Sequence, residues 1–154
     1  MLLVFSSKST AAKTFATNFH IGDISIYEVW ARSSFSMAKS ASAYMTLKNA
    51  SGEIEKLISV KSPIAKRVEI HQTESEDGVM KMRLVNILNI PAKSITMLKP
   101  GGKHVMFFGL SKPLREGSYF PLILEFMKSG KVKIMVKVLK YKSLDYKKRK
   151  HHKH

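Results

Sequence analysis

Leu122-Ile123-Leu124-Glu125-Phe126-Met127 and Val132-Lys133-Ile134-Met135-Val136-Lys137-Val138-Leu139 flank Lys128-Ser129-Gly130-Lys131. Two apolar runs joined by a short, glycine-containing polar link have the form of a β-hairpin. Upstream, His104 to Leu110 reads as a strand that opens after Lys99-Pro100-Gly101-Gly102. In that turn proline sets φ and glycine allows a positive one. Pro113 to Ser118 is a loop, and Ile95 to Leu98 is a short strand. Val79 to Ile87 is one strand or two short ones, ending near Asn89 and Pro91. Glu74 to Gly78 reads as an acidic turn, after a strand from Val68 to His71. Ser62-Pro63 separates that strand from Ile54 to Val60. Asn49-Ala50-Ser51-Gly52 is a turn cluster, preceded by Ala43 to Leu47, where Ala43, Met45 and Leu47 share one face. Asp23 to Ala31 is the first strand. Eight or nine short strands and no amphipathic helix define an all-β chain, a Greek-key sandwich or barrel.

The boundaries follow. Residues 1–20 lack a period and are read as a signal-peptide remnant or a disordered N-terminus. Met1 to Phe5 is apolar with no basic residue before it, and Ser6, Ser7, Ser9, Thr10, Ala11 and Ala12 are small. Residues 21–140 form the domain, and residues 141–154 a basic, disordered tail with His151, His152 and His154. The chain has 154 residues, enough for one domain with a modest core. No run of roughly 18 apolar residues exists, so no membrane span is expected.

Composition narrows the chemistry. There is no cysteine, which removes disulfides, thiolate metal sites and cysteine nucleophiles. It also disfavours an electron-transfer blue-copper site, which uses a cysteine thiolate. No nucleophile elbow, phosphate loop or dinucleotide fingerprint is present, and the acidic residues fall mostly in turns. A catalytic role has little support. The net charge of +16 makes an anionic partner the competing reading: a basic β-barrel that binds nucleic acid. Such a module needs exposed aromatics interleaved with basic residues, and the sequence has one Trp and no recognition motif.

The histidines and methionines say more. His104 and Met106 are two residues apart on a strand and therefore share a face. Met80 and Met82 repeat that spacing, and His71 ends a third strand. Thioether sulfur is soft and selects Cu(I), and imidazole is also a good copper ligand. Met45, Met97, Met127 and Met135 are assigned to packing, and Met80 to the core or to a spare ligand position.

The spacing is more specific than any one residue. Met82 follows His71 by eleven residues, and His104-Val105-Met106 begins twenty-two residues after that. This is H-x10-M-x21-H-x-M, which resembles the periplasmic copper chaperone family PCu(A)C. Trp30-Ala31-Arg32, Ala43-Tyr44-Met45-Thr46-Leu47, Val68-Glu69-Ile70-His71 and Asp77-Gly78-Val79-Met80-Lys81-Met82-Arg83 agree with it, and the similarity runs from about Asp23 to Leu139. The resemblance implies a cupredoxin-like barrel with a solvent-accessible Cu(I) site formed by His71, Met82, His104 and Met106. It also implies a monomeric periplasmic chaperone that passes copper to an oxidase subunit or another copper chaperone. Gln72 stands where some members have an extra methionine. His151, His152 and His154 match the His-rich tails of some members and suit Cu(II).

Overall fold

The computed structural model describes residues 3–4 and 15–140. These form eleven strands and no helix: β1 (Phe19–Ile21), β2 (Ile24–Arg32), β3 (Ser40–Asn49), β4 (Glu55–Lys61), β5 (Ala65–Glu76), β6 (Val79–Leu84), β7 (Leu88–Ile90), β8 (Ser94–Leu98), β9 (Lys103–Leu110), β10 (Tyr119–Phe126) and β11 (Gly130–Leu139). Among the described residues, no helix is long and apolar enough to cross a membrane.

The strands form one ladder in the order β6-β5-β9-β3-β2-β11-β10-β4-β7, with β1 added to β2 and β8 to β3. All neighbours are antiparallel except β11 and β2. The ladder wraps around one core, as a cupredoxin-like Greek-key fold does. Met45, Leu47, Val105 and Phe107 enter that core from β3 and β9. Leu122, Leu124, Phe126, Ile134 and Val136 enter from the β10–β11 hairpin. Phe107 and Phe120 meet edge to face at 5.3 Å, a favourable geometry that ties the two sides together.

Three departures from the sequence reading have physical causes. The run from Val79 onward takes the two-strand alternative, β6 and β7, whereas β1 departs from the expectation by lying partly ahead of the boundary at residue 21. The acidic segment is strand up to Glu76, so His71 lies within β5 rather than at its end, and the turn is Asp77-Gly78, both at positive φ. The outer part of the β5–β6 hairpin extends past the core, so its residues are polar on one face and never needed to look like a buried strand. Third, Met97 and Met127, assigned to packing, are exposed, as is Met80; Met45 is buried.

A bulge in β2 prepares the site. Between Tyr27 and Trp30 the register against β3 shifts by one residue, and Glu28 takes a positive φ. Its carboxylate accepts a hydrogen bond from Thr46 Oγ1 at 3.0 Å. The extra residue reverses the alternation. Ile24 and Ile26 point into the core, whereas Trp30 pairs with Tyr44 on the outer face and Ala31 points inward.

Candidate metal centre

Register brings the sequence-derived residues together. In the β5–β9 ladder His71 lies directly opposite His104, and their neighbours Ile70 and Val105 face the core. Both imidazoles therefore project from the outer face of the sheet. Met106, two residues beyond His104, is on the same face, between Glu69 of β5 and Ser42 of β3. On β6, Met82 lies opposite Thr73, two residues from His71, and so shares that face too. Diagonal neighbours of this kind are about 7–8 Å apart at their backbones, within reach of flexible side chains. Met82 flanks the histidine pair on the hairpin side and Met106 on the other.

The two rings are 6.1 Å apart between centroids. Aromatic side chains enclose them: Tyr44 is 6.5 Å from His104, Trp30 is 4.5 Å from Tyr44, and Phe108 is 5.6 Å from His71. Arg67 lies over the Phe108 ring at 4.4 Å. In consequence His104 is only 4% exposed, although it stands on the outer face. Met82 is 58% exposed.

Hydrogen bonds decide which nitrogens are free. Glu69 Oε2 is 2.7 Å from His71 Nε2, and the other oxygen of Glu69 pairs with Arg67 Nε at 2.9 Å. A carboxylate held by arginine can only accept, so Nε2 carries the proton. The carbonyl of Gly102 lies 3.1 Å from His104 Nδ1 and likewise can only accept. The remaining ring nitrogens, His71 Nδ1 and His104 Nε2, are buried and have no hydrogen-bond partner. In the neutral rings each offers a lone pair. A buried polar atom without a partner is costly, and a native fold retains it for a reason. Ser42 Oγ donates to the Met106 sulfur at 3.3 Å, which ties that thioether to β3.

This donor set suits a soft ion. Two neutral imidazoles and two thioethers add no charge and need no deprotonation at sulfur. Among the described residues, no group of three or more His, Asp or Glu is placed to hold a metal ion. Glu69 is the residue whose role the sequence reading missed. Its spacing of two from His71 was the available signal, because it placed a carboxylate on the ligand face. The pairing of a carboxylate with a ligand histidine orients the ring and typically changes metal affinity by about 10–100-fold. Glu69→Gln should therefore lower metal affinity about tenfold. Imidazole nitrogen NMR should show His71 leaving the single Nε2–H tautomer while His104 keeps its own. An unchanged His71 tautomer would remove this role from Glu69. The tail histidines His151, His152 and His154 lie outside the described residues.

The fold and the paired histidines with flanking methionines define a PCuAC-type domain. The chain matches the family model described as "Putative lipoprotein LpqE-like" over residues 24–138, and it belongs to that family. Solved structures agree. The "Copper-bound PCuAC domain from PmoF2" superposes with a TM-score of 0.70 at 27% identity, over 80% of this chain and 97% of that one. The Cu(I) form of DR1885 from Deinococcus radiodurans gives 0.61 at 26% identity, over 82% and 83%. "Putative lipoprotein Lxx21020" of Leifsonia xyli subsp. xyli is 31% identical over 85 residues, 54% of this chain and 51% of that protein. "Uncharacterized protein RP573" of Rickettsia prowazekii is 28% identical over 113 residues, 71% of this chain and 62% of that protein. The matches thus span between about half and three fifths of the length of these two curated relatives.

Proposed function

We propose that this chain is a Cu(I) carrier that works outside the cytoplasm, holding one ion with His71, His104, Met82 and Met106. One observation carries the reading. The His71 and His104 imidazoles lie opposite each other across a strand pair, each with one nitrogen hydrogen-bonded and the other buried and unpartnered. Thioethers flank them on both sides, and soft sulfur with neutral nitrogen favours Cu(I) over harder divalent ions. The copper-bound PCuAC domain and the Cu(I) form of DR1885 support the choice of metal. The lipoprotein family and the absence of cysteine support an extracytoplasmic, oxidising setting.

The protein binds and releases the ion rather than catalysing a reaction on it. It acts as a monomer and delivers copper to an accepting protein, an oxidase subunit or another copper chaperone, in cytochrome c oxidase assembly. His151, His152 and His154 serve as an auxiliary Cu(II) set, because imidazole nitrogen suits the oxidised ion. Nucleic acid is not a partner in this reading, since the aromatics near the site pack against one another instead of standing free to stack on bases.

The test is a competition between the full chain and a chromophoric Cu(I) chelator under reducing conditions. One ion per chain should be retained, with X-ray absorption showing both nitrogen and sulfur ligands. Histidine must be neutral to bind, so retention should weaken as the solution is acidified. Failure to retain Cu(I), or a preference for Zn(II), would end the proposal.

A further inference from the structure

Exposure falls steeply along the line of soft donors. It is 62% for Met80 and 58% for Met82, but 14% for the His71 side chain and 4% for His104. Met80 lies opposite Ser75 and Met82 opposite Thr73, so both sulfurs project from the ligand face, with Met80 farther toward the Asp77-Gly78 tip. The other face of the hairpin is charged: Arg83 pairs with Glu74 at 2.6 Å and Lys81 with Glu76 at 3.1 Å. Those ion pairs leave the methionine face free of charge. Strand residues two apart are about 7 Å from each other, so two flexible thioethers can converge on one ion. The core does not use Met80, and the four-ligand site does not need it.

We propose that Met80 and Met82 form an outer two-sulfur station on which Cu(I) lands and from which it leaves. This rests on the Cu(I) reading of the inner site. The ion then moves inward as Met82 keeps its bond while the bond to Met80 is replaced by bonds to His71 and His104. Departure reverses the order. On the way in one thioether leaves and two imidazoles enter, with Met106 completing the inner set; all of these ligands are neutral, so no electron or proton is transferred. The station gives a donor or acceptor protein access to the ion without opening the aromatic enclosure around His104.

The experiment measures release of Cu(I) from the loaded full chain to excess bathocuproine disulfonate by stopped flow. Alongside it, equilibrium affinity is measured with the same chelator. Met80→Leu keeps size and exposure and removes only the sulfur. It should slow release about tenfold while affinity stays within about twofold of wild type. Met127→Leu, at an exposed methionine in the β10–β11 turn, should change neither. Unchanged release in Met80→Leu would overturn the station. So would a large loss of affinity, since Met80 would then belong to the inner site. Failure of the Cu(I) reading itself looks different, because the wild-type chain would not load at all.

Discussion

His104→Ala should lower Cu(I) affinity at least about 1,000-fold, a loss of roughly 4 kcal/mol. His104 is the most enclosed of the four proposed ligands, and its Nε2 has no hydrogen-bond partner in the fold. Alanine removes that lone pair and one of the two donors to the Gly102 carbonyl, which keeps the Thr73 N–H at 3.2 Å, and it leaves a cavity beside Tyr44. The structural cost should be about 2 kcal/mol, visible as a melting point lower by several degrees. His104→Asn separates the two effects. Its amide can still donate to Gly102, but it has no imidazole nitrogen. It should melt closer to wild type and bind Cu(I) almost as poorly as His104→Ala. Chelator competition and thermal melts on the three proteins decide the matter. If both variants kept wild-type affinity, the ion would not be bound between the histidines.

That the four proposed donors share one face was legible because strand chemistry has a period of two and the family spacing is long and specific. Both features survive without knowing how the strands pair. The pairing itself was not legible. No local pattern in Val68 to His71 or His104 to Leu110 states that His71 sits opposite His104, since that register is set by the whole ladder. The bulge at Glu28 was hidden for a similar reason. Its effect is to turn Trp30 outward, and the sequence showed only an alternation that broke between Ile26 and Val29. β1 and β7 have three residues each, too few to display a period. The exposure of Met80, Met97 and Met127 was misread because methionine is an ordinary core residue, and only the position of each strand relative to the core decides its surroundings.

Glu55 is a polar residue on which a large loss of stability is expected. It is 4% exposed, at the start of β4. Oε1 accepts from the Lys56 backbone N–H at 2.8 Å and from that of Lys128 at 3.0 Å. Oε2 accepts from the Ser129 N–H at 3.0 Å and the Ser129 hydroxyl at 2.9 Å. One carboxylate thus pins the β10–β11 turn to β4. Burial pushes its pKa up, but the hydrogen bonds from Lys56, Lys128 and Ser129 together outweigh that and hold it below the ordinary value of 4.5. The sign follows from linkage. A carboxyl lowered in the folded state contributes stability that is fully present above its unfolded pKa and is lost as pH falls through the folded one. Glu55→Ala should therefore cost about 3 kcal/mol at neutral pH, because it strands the backbone donors of the turn. For a chain of this size that is a melting point lower by roughly 6–12 °C. Glu55→Gln should cost nearly as much, since its NH2 group would face donors where an acceptor is needed. Melts at pH 7 and pH 3 test the charge directly, with other carboxylates cancelling in the comparison with wild type. The gap between wild type and Glu55→Gln should narrow at pH 3. A gap of the same size at both pH values would mean that shape, and not the ionised carboxylate, holds the turn in place.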